Sequence, residues 1–307
     1  MTKTICIYHG NCADGFTAAW AVWKVFGDSV DFVPGFYGAP PPDVTGADVI
    51  MVDFSYKRPV MDALAVKARS ILILDHHKTA EADLAGYPGP DPSADSVPWD
   101  EHLECVYQGG YAGVVAVLFD IDRSGAQLAW DFFHPGKPRP KLVDYVGDRD
   151  LWRFELPYSR EIAAWVFSHD YYFMTWENLA EVVGGGGFNM AVAGGADIER
   201  KHHKDIRELL RVTRREMVIG GHRVPVANLP YTMASDAAGA MAEAAPFAAC
   251  YFDRSDVRVF SLRSRGDGGL DVAEIAAGYG GGGHRNAAGF QVPRSAGRGI
   301  NELGSMG

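Results

Sequence analysis

The stretch Ile71-Leu72-Ile73-Leu74-Asp75-His76-His77 places four consecutive apolar residues directly before a carboxylate and two imidazoles. A short, unbroken apolar run is the signature of a strand buried on both faces, as in a parallel sheet covered by helices. Open α/β sheets hold their ligand sites beyond the carboxyl ends of their strands. Asp75, His76 and His77 therefore stand where such a fold does its chemistry.

The residues upstream repeat this arrangement. Ile5-Cys6-Ile7-Tyr8, Val30 to Val33 and Val49-Ile50-Met51-Val52 read as further strands. Between them, Ala13 to Phe26 has helical spacing with Gly27 as terminator, a Pro/Gly-rich loop runs through Gly46, and Pro59 to Arg69 reads as a helix opened by proline. His9 and Asp14 follow the first strand and Asp53 the third, so several metal-capable side chains are expected to converge on one sheet edge.

Downstream, Gly86 to Asp100 is a Pro/Asp/Ser-rich loop, Val114 to Phe119 a strand, and Ser124-Gly125-Ala126 opens a helix through Phe133. A proline-containing loop leads to the apolar run Leu142 to Val146 and then Gly147-Asp148-Arg149-Asp150. Gly184 to Gly187 is a break, read as a hinge because no cation follows it. A long charged helix over Asp197 to Met217 is read as the bridge to a smaller α/β domain, with strands near Phe247 to Phe252 and Val257 to Leu262. That domain closes on Gly280-Gly281-Gly282-Gly283-His284-Arg285, and the tail after Arg294 is read as loose. The expected organisation is a catalytic domain over 1–196, a linker helix over 197–217 and a substrate-binding domain over 218–307.

Bulk properties agree with such an organisation. The 307-residue chain is 47% hydrophobic, enough for two cores, and has no run of eighteen apolar residues to span a membrane. The short polar start before Ile5 does not resemble a secretory signal. Cys6, Cys12, Cys105 and Cys250 lack the spacing of a disulfide framework, so a cytoplasmic protein is expected. A net charge of −10 argues against broad duplex binding, but not against a short anionic substrate held at metals.

Taken together, His9, Asp14, Asp53, His76 and Asp148 supply carboxylates and imidazoles of the kind that hold two ions roughly 3.5–4 Å apart. Oxygen-rich ligation with one or two imidazoles favours Mn²⁺ or Mg²⁺ over a structural zinc. The plain alternative makes Asp14 and Asp75 helix caps and the histidines loop residues. It accounts for each residue singly, but it does not predict Asp-His-His after a buried strand. Asp150 competes with Asp148, and the strand-end argument favours Asp148 as the first carboxylate after the apolar run. The glycine run with its cation suits a phosphate. A metal site and a phosphate grip in this order point to a metal-dependent phosphoesterase.

These residues resemble the DHH phosphoesterase family, which includes RecJ-type exonucleases and nanoRNases. His9-Gly10-Asn11-Cys12-Ala13-Asp14-Gly15 is similar to its first motif, Val52-Asp53 to its second, Asp75-His76-His77 to its signature and Asp148 to its fourth. Gly280 to Gly289 is similar to the DHH-associated C-terminal domain. The resemblance implies two Mn²⁺ ions, with Mg²⁺ as a substitute, bridged by Asp53. His9 would hold the first ion, while Asp14, His76 and Asp148 would complete the second. Asp75 would orient His76, and His77 would act on the leaving oxygen. Gly281, Gly282, Gly283, His284 and Arg285, with Arg263 as a further candidate, would grip a phosphate or terminal nucleotide. The implied activity is hydrolysis of short single-stranded oligonucleotides to nucleoside monophosphates. The alternatives are a phosphodiesterase for cyclic or linear dinucleotides or 3′-phosphorylated nucleotides, and a nucleotide-binding regulator with a weakened site.

The first motif departs from the pattern. Many relatives carry Asp-x-Asp-Gly, whereas this chain has Cys12-Ala13-Asp14-Gly15, one residue closer to His9. Cys12 either ligates a softer metal as thiolate or leaves the first ion one carboxylate short. Three other features take blander readings. His202-His203 and the seven basic residues from Arg200 to Arg215 read as a solvated helix face, and the aromatics around Trp165, Tyr171, Tyr172, Phe173 and Trp176 as packing.

Overall fold

The computed structural model describes residues 3–89, 114–266, 268–294 and 302–303. The chain divides into two compact units, Met1–Ile198 and Glu199–Gly307. From residue 90 onward the expected loop, Cys105 and most of the tail lie outside the described residues.

The first unit is built on five parallel strands, β1 (Thr4–His9), β2 (Asp31–Gly35), β3 (Asp48–Val52), β4 (Ser70–Asp75) and β5 (Val114–Phe119), in the order β2-β1-β3-β4-β5. Alternate residues of one strand feed two separate cores. Cys6, Ile50, Val52, Leu72 and Leu74 pack with helix α1 (Ala13–Phe26) and its neighbours, while Ile5, Ile7, Val49, Met51, Ile71 and Ile73 pack with helix α2 (Arg58–Ala65). Both sheet faces are thus covered, which is why the strands read as unbroken apolar runs. Helix α1 stops at Gly27, whose φ of 55° suits glycine.

Helix α2 ends at Ala65, short of the expected Arg69. The N–H groups of Lys67 and Ala68 turn back onto Leu64 O (2.9 and 2.8 Å), and Arg69 N–H then donates to Ala47 O (2.8 Å) just before β4 begins. After helix α3 (Lys78–Asp83) and β5, helix α4 (Gly125–Phe133) opens with a capping box between Ser124 and Gln127. The run before Asp148 is not strand-like. It lies in helix α5 (Lys141–Asp150), where Leu142, Val143, Tyr145 and Val146 form one buried face. The strand-end argument for Asp148 therefore does not apply. Helices α6 (Ser159–Phe167) and α7 (Phe173–Gly184) complete the layer, with Trp176 fully buried against Phe16.

Helix α8 (Phe188–Thr213) contributes residues to both units. It begins earlier and ends earlier than the expected Asp197 to Met217. Arg215–Ile219 forms strand β6, paired with β7 (His222–Asn228) across Gly220-Gly221. Both glycines have positive φ (57° and 80°), the requirement of the tight hairpin turn whose twist matches the strands.

In the second unit β8 (Ala248–Asp253), β9 (Val257–Arg263), β10 (Gly282–His284), β11 (Ala287–Pro293) and β12 (Glu302–Leu303) join β6 and β7 in the order β10-β11-β9-β8-β7-β6-β12. Helix α9 (Tyr231–Ala242) and the end of α8 cover one face, and helix α10 (Val272–Ala277) the other. The fold class is α/β, a parallel-sheet unit followed by a smaller mixed-sheet unit.

Candidate metal centre

The carboxyl edge of the first sheet gathers seven side chains from five places in the chain. His9 ends β1, Asp53 follows β3, and Asp75 ends β4 with His76 and His77 behind it. Asp14 comes from the first turn of α1 and Asp150 from the last residue of α5.

Asp53 is the hub. It sits at φ 54°, a left-handed conformation that Asp tolerates better than most residues, and its N–H donates to Leu74 O (2.9 Å). Its Oδ1 lies 3.0 Å from His76 Nε2 and its Oδ2 lies 3.3 Å from His9 Nδ1. Around the same His76 Nε2 stand Asp150 Oδ2 at 3.4 Å and Asp14 Oδ2 at 3.8 Å. Two donor groups contain Asp53, each with its ligand atoms within 4.8 Å of one another: Asp14, Asp53 and His76, and His9, Asp53 and His77. Asp53 belongs to both.

Asp148 is placed differently. Its carboxylate accepts the N–H groups of Glu155 (3.0 Å) and Leu156 (3.2 Å), fixing the turn that follows α5. One helical turn of 3.6 residues separates neighbours on a helix face, so Asp148 and Asp150 necessarily point in different directions. The geometry brings Asp150 to the cluster in place of Asp148.

Asp75 also differs in detail from its implied role. Its Oδ1 lies 2.7 Å from the ring Nδ1 of His77 and accepts the backbone N–H of His76 (2.8 Å), while Oδ2 accepts the Ser55 hydroxyl (2.9 Å). The ring it orients directly is that of His77. Asp14 does not cap its own helix; its Oδ1 accepts Ala126 N–H (3.2 Å) at the start of α4.

Electrostatics explain what this cluster requires. Burial, then the nearby charges of Asp150 and Asp53, push the Asp14 carboxyl well above the usual carboxylate range. Burial likewise raises Asp150. Burial acts against Asp53 too, but hydrogen bonds and charge from His76 and His9 hold it well below that range. Burial would depress His76, yet its bond to Asp53 and the charges of Asp150, Asp53 and Asp14 carry it up to about 10. Asp14 Oδ2 is buried with no hydrogen-bond partner among the described residues. Three carboxylates packed around one imidazole, one of them with an orphaned oxygen, form a site short of positive charge, and a divalent cation supplies it. The donor set therefore fits a metal. Oxygen with imidazole accommodates Mn²⁺, Mg²⁺ or Zn²⁺.

Cys12 precedes α1 and joins none of these donor groups among the described residues. Burial and the charges of Asp53, Asp150 and Asp14 push its thiol well above the ordinary value.

Two features of the site had no signal at their own positions. A Cβ at Gly125 would lie 2.4 Å from Asp53 Cβ and 2.9 Å from Asp14 Oδ2, so only glycine lets the start of α4 approach both carboxylates. The helix start at Ser124-Gly125-Ala126 was readable, but what it approaches was not. The ring of Tyr37, 46% exposed, lies edge-on to His9 (5.2 Å between centroids) and to His77 (6.1 Å).

In the second unit, Gly282 and Gly283 belong to β10, paired with Gly289 and Ala288 of β11. A Cβ at Gly281 would meet Gly289 O at 2.1 Å, and one at Gly283 would meet Ala287 O at 2.5 Å. Backbone packing thus already requires these glycines. His284 ends β10, and Arg285 reaches Gly269 O (3.4 Å) and Asp271 (3.8 Å) with its side chain 60% exposed. Arg263 is tied to Leu262 O (2.7 Å) and to the hydroxyls of Ser235 and Ser261.

Comparison with solved structures places this arrangement. The DHH domain of a member of the s1p family of ribosomal proteins superposes with a TM-score of 0.55 at 17% identity, covering 94% of this chain and 82% of that one. The chain has the DHH-domain fold. A pGpG-specific phosphodiesterase from Vibrio cholerae aligns over 95% of this chain and 94% of its own at 13% identity, with a TM-score of 0.44, too low to add to that assignment. Among curated proteins, an uncharacterised protein of Acanthamoeba polyphaga mimivirus is 27% identical over 93% of this chain. The chain spans 66% of that relative's length. No protein-family model matches the chain. In the DHH unit, no described helix is long and apolar enough to cross a membrane, and the same holds for the rest of the described chain.

Proposed function

We propose that the chain is a metal-dependent phosphoesterase of the DHH family that hydrolyses short single-stranded oligonucleotides to nucleoside monophosphates, with Mn²⁺ as its ion. The observation that carries this reading is the position of Asp53 in two donor groups at once. A shared carboxylate is the requirement of a two-ion site. Bound ions would supply Lewis acidity toward the phosphoryl oxygens and a lowered pKa for attacking water.

The protein's own residues set the rest. Asp14, Asp53, His76 and Asp150 would hold one ion, and Asp53 and His9 the other. Asp75 keeps Nδ1 of His77 engaged, so the proton that this ring can deliver to a leaving oxygen is the one on Nε2. Burial would lower the His77 pKa, but the charge and hydrogen bond of Asp75 raise it, which favours the protonated ring that a general acid needs. His284 and Arg285, carried on the glycine hairpin, would hold a substrate phosphate. Arg263, already bonded within its own unit, would steady that hairpin's neighbour. Free Cys6, Cys12 and Cys250 suit a reducing cytoplasm.

The test is a product time course on end-labelled RNA and DNA, from dinucleotides to long oligonucleotides, after metal removal and reloading with Mn²⁺. Stepwise release of monophosphates is expected, lost in Asp150→Ala and retained in Asp148→Asn once the latter's lower stability is allowed for. Absence of any phosphodiester cleavage by the metal-loaded protein would overturn the reading. Cleavage of dinucleotides alone would narrow it.

A further inference from the structure

We propose that Arg207, Arg211 and Arg214, together with Arg215 at the start of β6, form a second anion-binding surface that takes the sugar–phosphate backbone of a single-stranded nucleic acid. The choice of nucleic acid rests on the oligonucleotide reading above; the anion site itself does not. These arginines line a recess of about 640 Å³ in the second unit, floored by Leu210 and Met241. All four are exposed in a chain whose net charge is −10.

The same helix provides the contrast. Lys201 and Lys204 are each paired one turn on, with Asp205 and Glu208. The side chains of Arg207, Arg211 and Arg214 make no hydrogen bond or ion pair among the described residues; Glu216 is the one carboxylate on the recess. Spacings of four and three residues align the three on one face over about 10 Å, at about 1.5 Å per residue. Arg214 keeps this face although α8 ends at Thr213, because its N–H still donates to Leu210 O (3.2 Å). Arg215 is steadied by Tyr251, whose hydroxyl accepts its guanidinium proton at 2.6 Å.

Cations at a helix carboxyl end favour the helix dipole, but that effect fades within the last turn. It accounts for Arg211 and not for Arg207 or Arg215. Guanidinium is also the group that matches phosphate with two parallel donors. A row along one helix face suits successive phosphates of one strand better than a single ion. Like charges left facing one another are relieved when a polyanion binds.

The experiment measures binding of a labelled single-stranded oligonucleotide to the full chain by fluorescence anisotropy, in EDTA so that nothing is cut, across a salt series. The triple variant Arg207→Gln, Arg211→Gln, Arg214→Gln is compared with wild type and with the corresponding triple lysine variant. The glutamine variant should lose affinity at least about tenfold, and its salt slope should fall by about 2, given about 0.7 per phosphate contact on a single strand. The lysine variant should keep most of the slope. Equal affinity and slope in wild type and the glutamine variant would sink the proposal, as would an equal loss of inorganic phosphate binding, which marks a single-anion site. Dinucleotide hydrolysis with Mn²⁺ is read separately. Arginine-dependent strand binding without hydrolysis would leave this site standing and remove the phosphoesterase reading; hydrolysis without such binding would do the reverse.

Discussion

The Asp75-His76-His77 edge and the Gly280–His284 hairpin both look like motifs, but for opposite physical reasons. At the first, the side chains are engaged with one another through their functional groups: Asp75 binds the His77 ring and Ser55, and His76 faces Asp53, Asp14 and Asp150. At the second, what matters at Gly281 and Gly283 is the absence of a side chain, because a Cβ would collide with the opposing strand. One motif is written in functional groups, the other in space. A glycine run beside a cation is therefore weaker evidence for a phosphate cradle than it looks, and a carboxylate at a strand end is stronger evidence for a metal.

The contrast can be broken at several points. Asn tolerates the left-handed backbone at position 53, so Asp53→Asn should fold yet lose more than about 100-fold in activity, beyond the 10–100-fold typical of outer-shell changes. Calorimetric Mn²⁺ titration with a melting curve would check this, and a variant that still binds two ions would remove Asp53 as the bridge. Asp75→Asn should cost about 10–100-fold in rate. Without the Asp75 charge the raised His77 pKa falls, so the high-pH limb of the rate profile should move to lower pH; an unmoved limb would mean that Asp75 is only structural. Gly281→Ala should destabilise the second unit by about 1–3 kcal/mol through overpacking, seen in chemical denaturation, with metal affinity unchanged. If stability held while substrate affinity collapsed, the hairpin would be a cradle after all.

The smallest effect concerns protons. In the metal-free cluster His76 (raised to about 10), Asp14 and Asp150 all hold protons more tightly than usual. Metal must displace them, so affinity should rise with pH, by up to about tenfold per unit for each proton released. The stability sign is set by His76: its folded value exceeds the ordinary 6.5, so its contribution is complete below 6.5 and lost as pH rises through about 10. Denaturation of the chelated protein across that window should show the decline, and a flat profile would mean that His76 is neutral.

Much of this was legible beforehand because buried parallel strands are continuous apolar runs. The three strand ends carrying His9, Asp53 and Asp75, and the helix ended by Gly27, needed only local patterns. Asp150 was not legible in that way. Its run was apolar enough for a strand, and only the spacing of Leu142, Val143, Tyr145 and Val146 marks it as one face of a helix. The β6–β7 hairpin was hidden for another reason: charged residues continue from α8 into β6, while the decisive signal, Gly220-Gly221, lies beyond the point where the helix was expected to end. Gly125 and Tyr37 act through partners distant in sequence, which no local pattern carries.

The backbone at Asp53 also bears on how the protein assembles. Its N–H is held by Leu74 of the neighbouring strand, its oxygens meet His9 at the end of β1 and His76 behind β4, and Asp14 of α1 shares a donor group with it. Such a set closes only after the most distant pairings in the unit have formed, and those are the slow steps of folding. An ion bound by this set would therefore not be expected to act as a nucleus for this chain. Its capture should be the final event of refolding, lagging the return of secondary structure, which makes metal uptake a clock for the completed first unit.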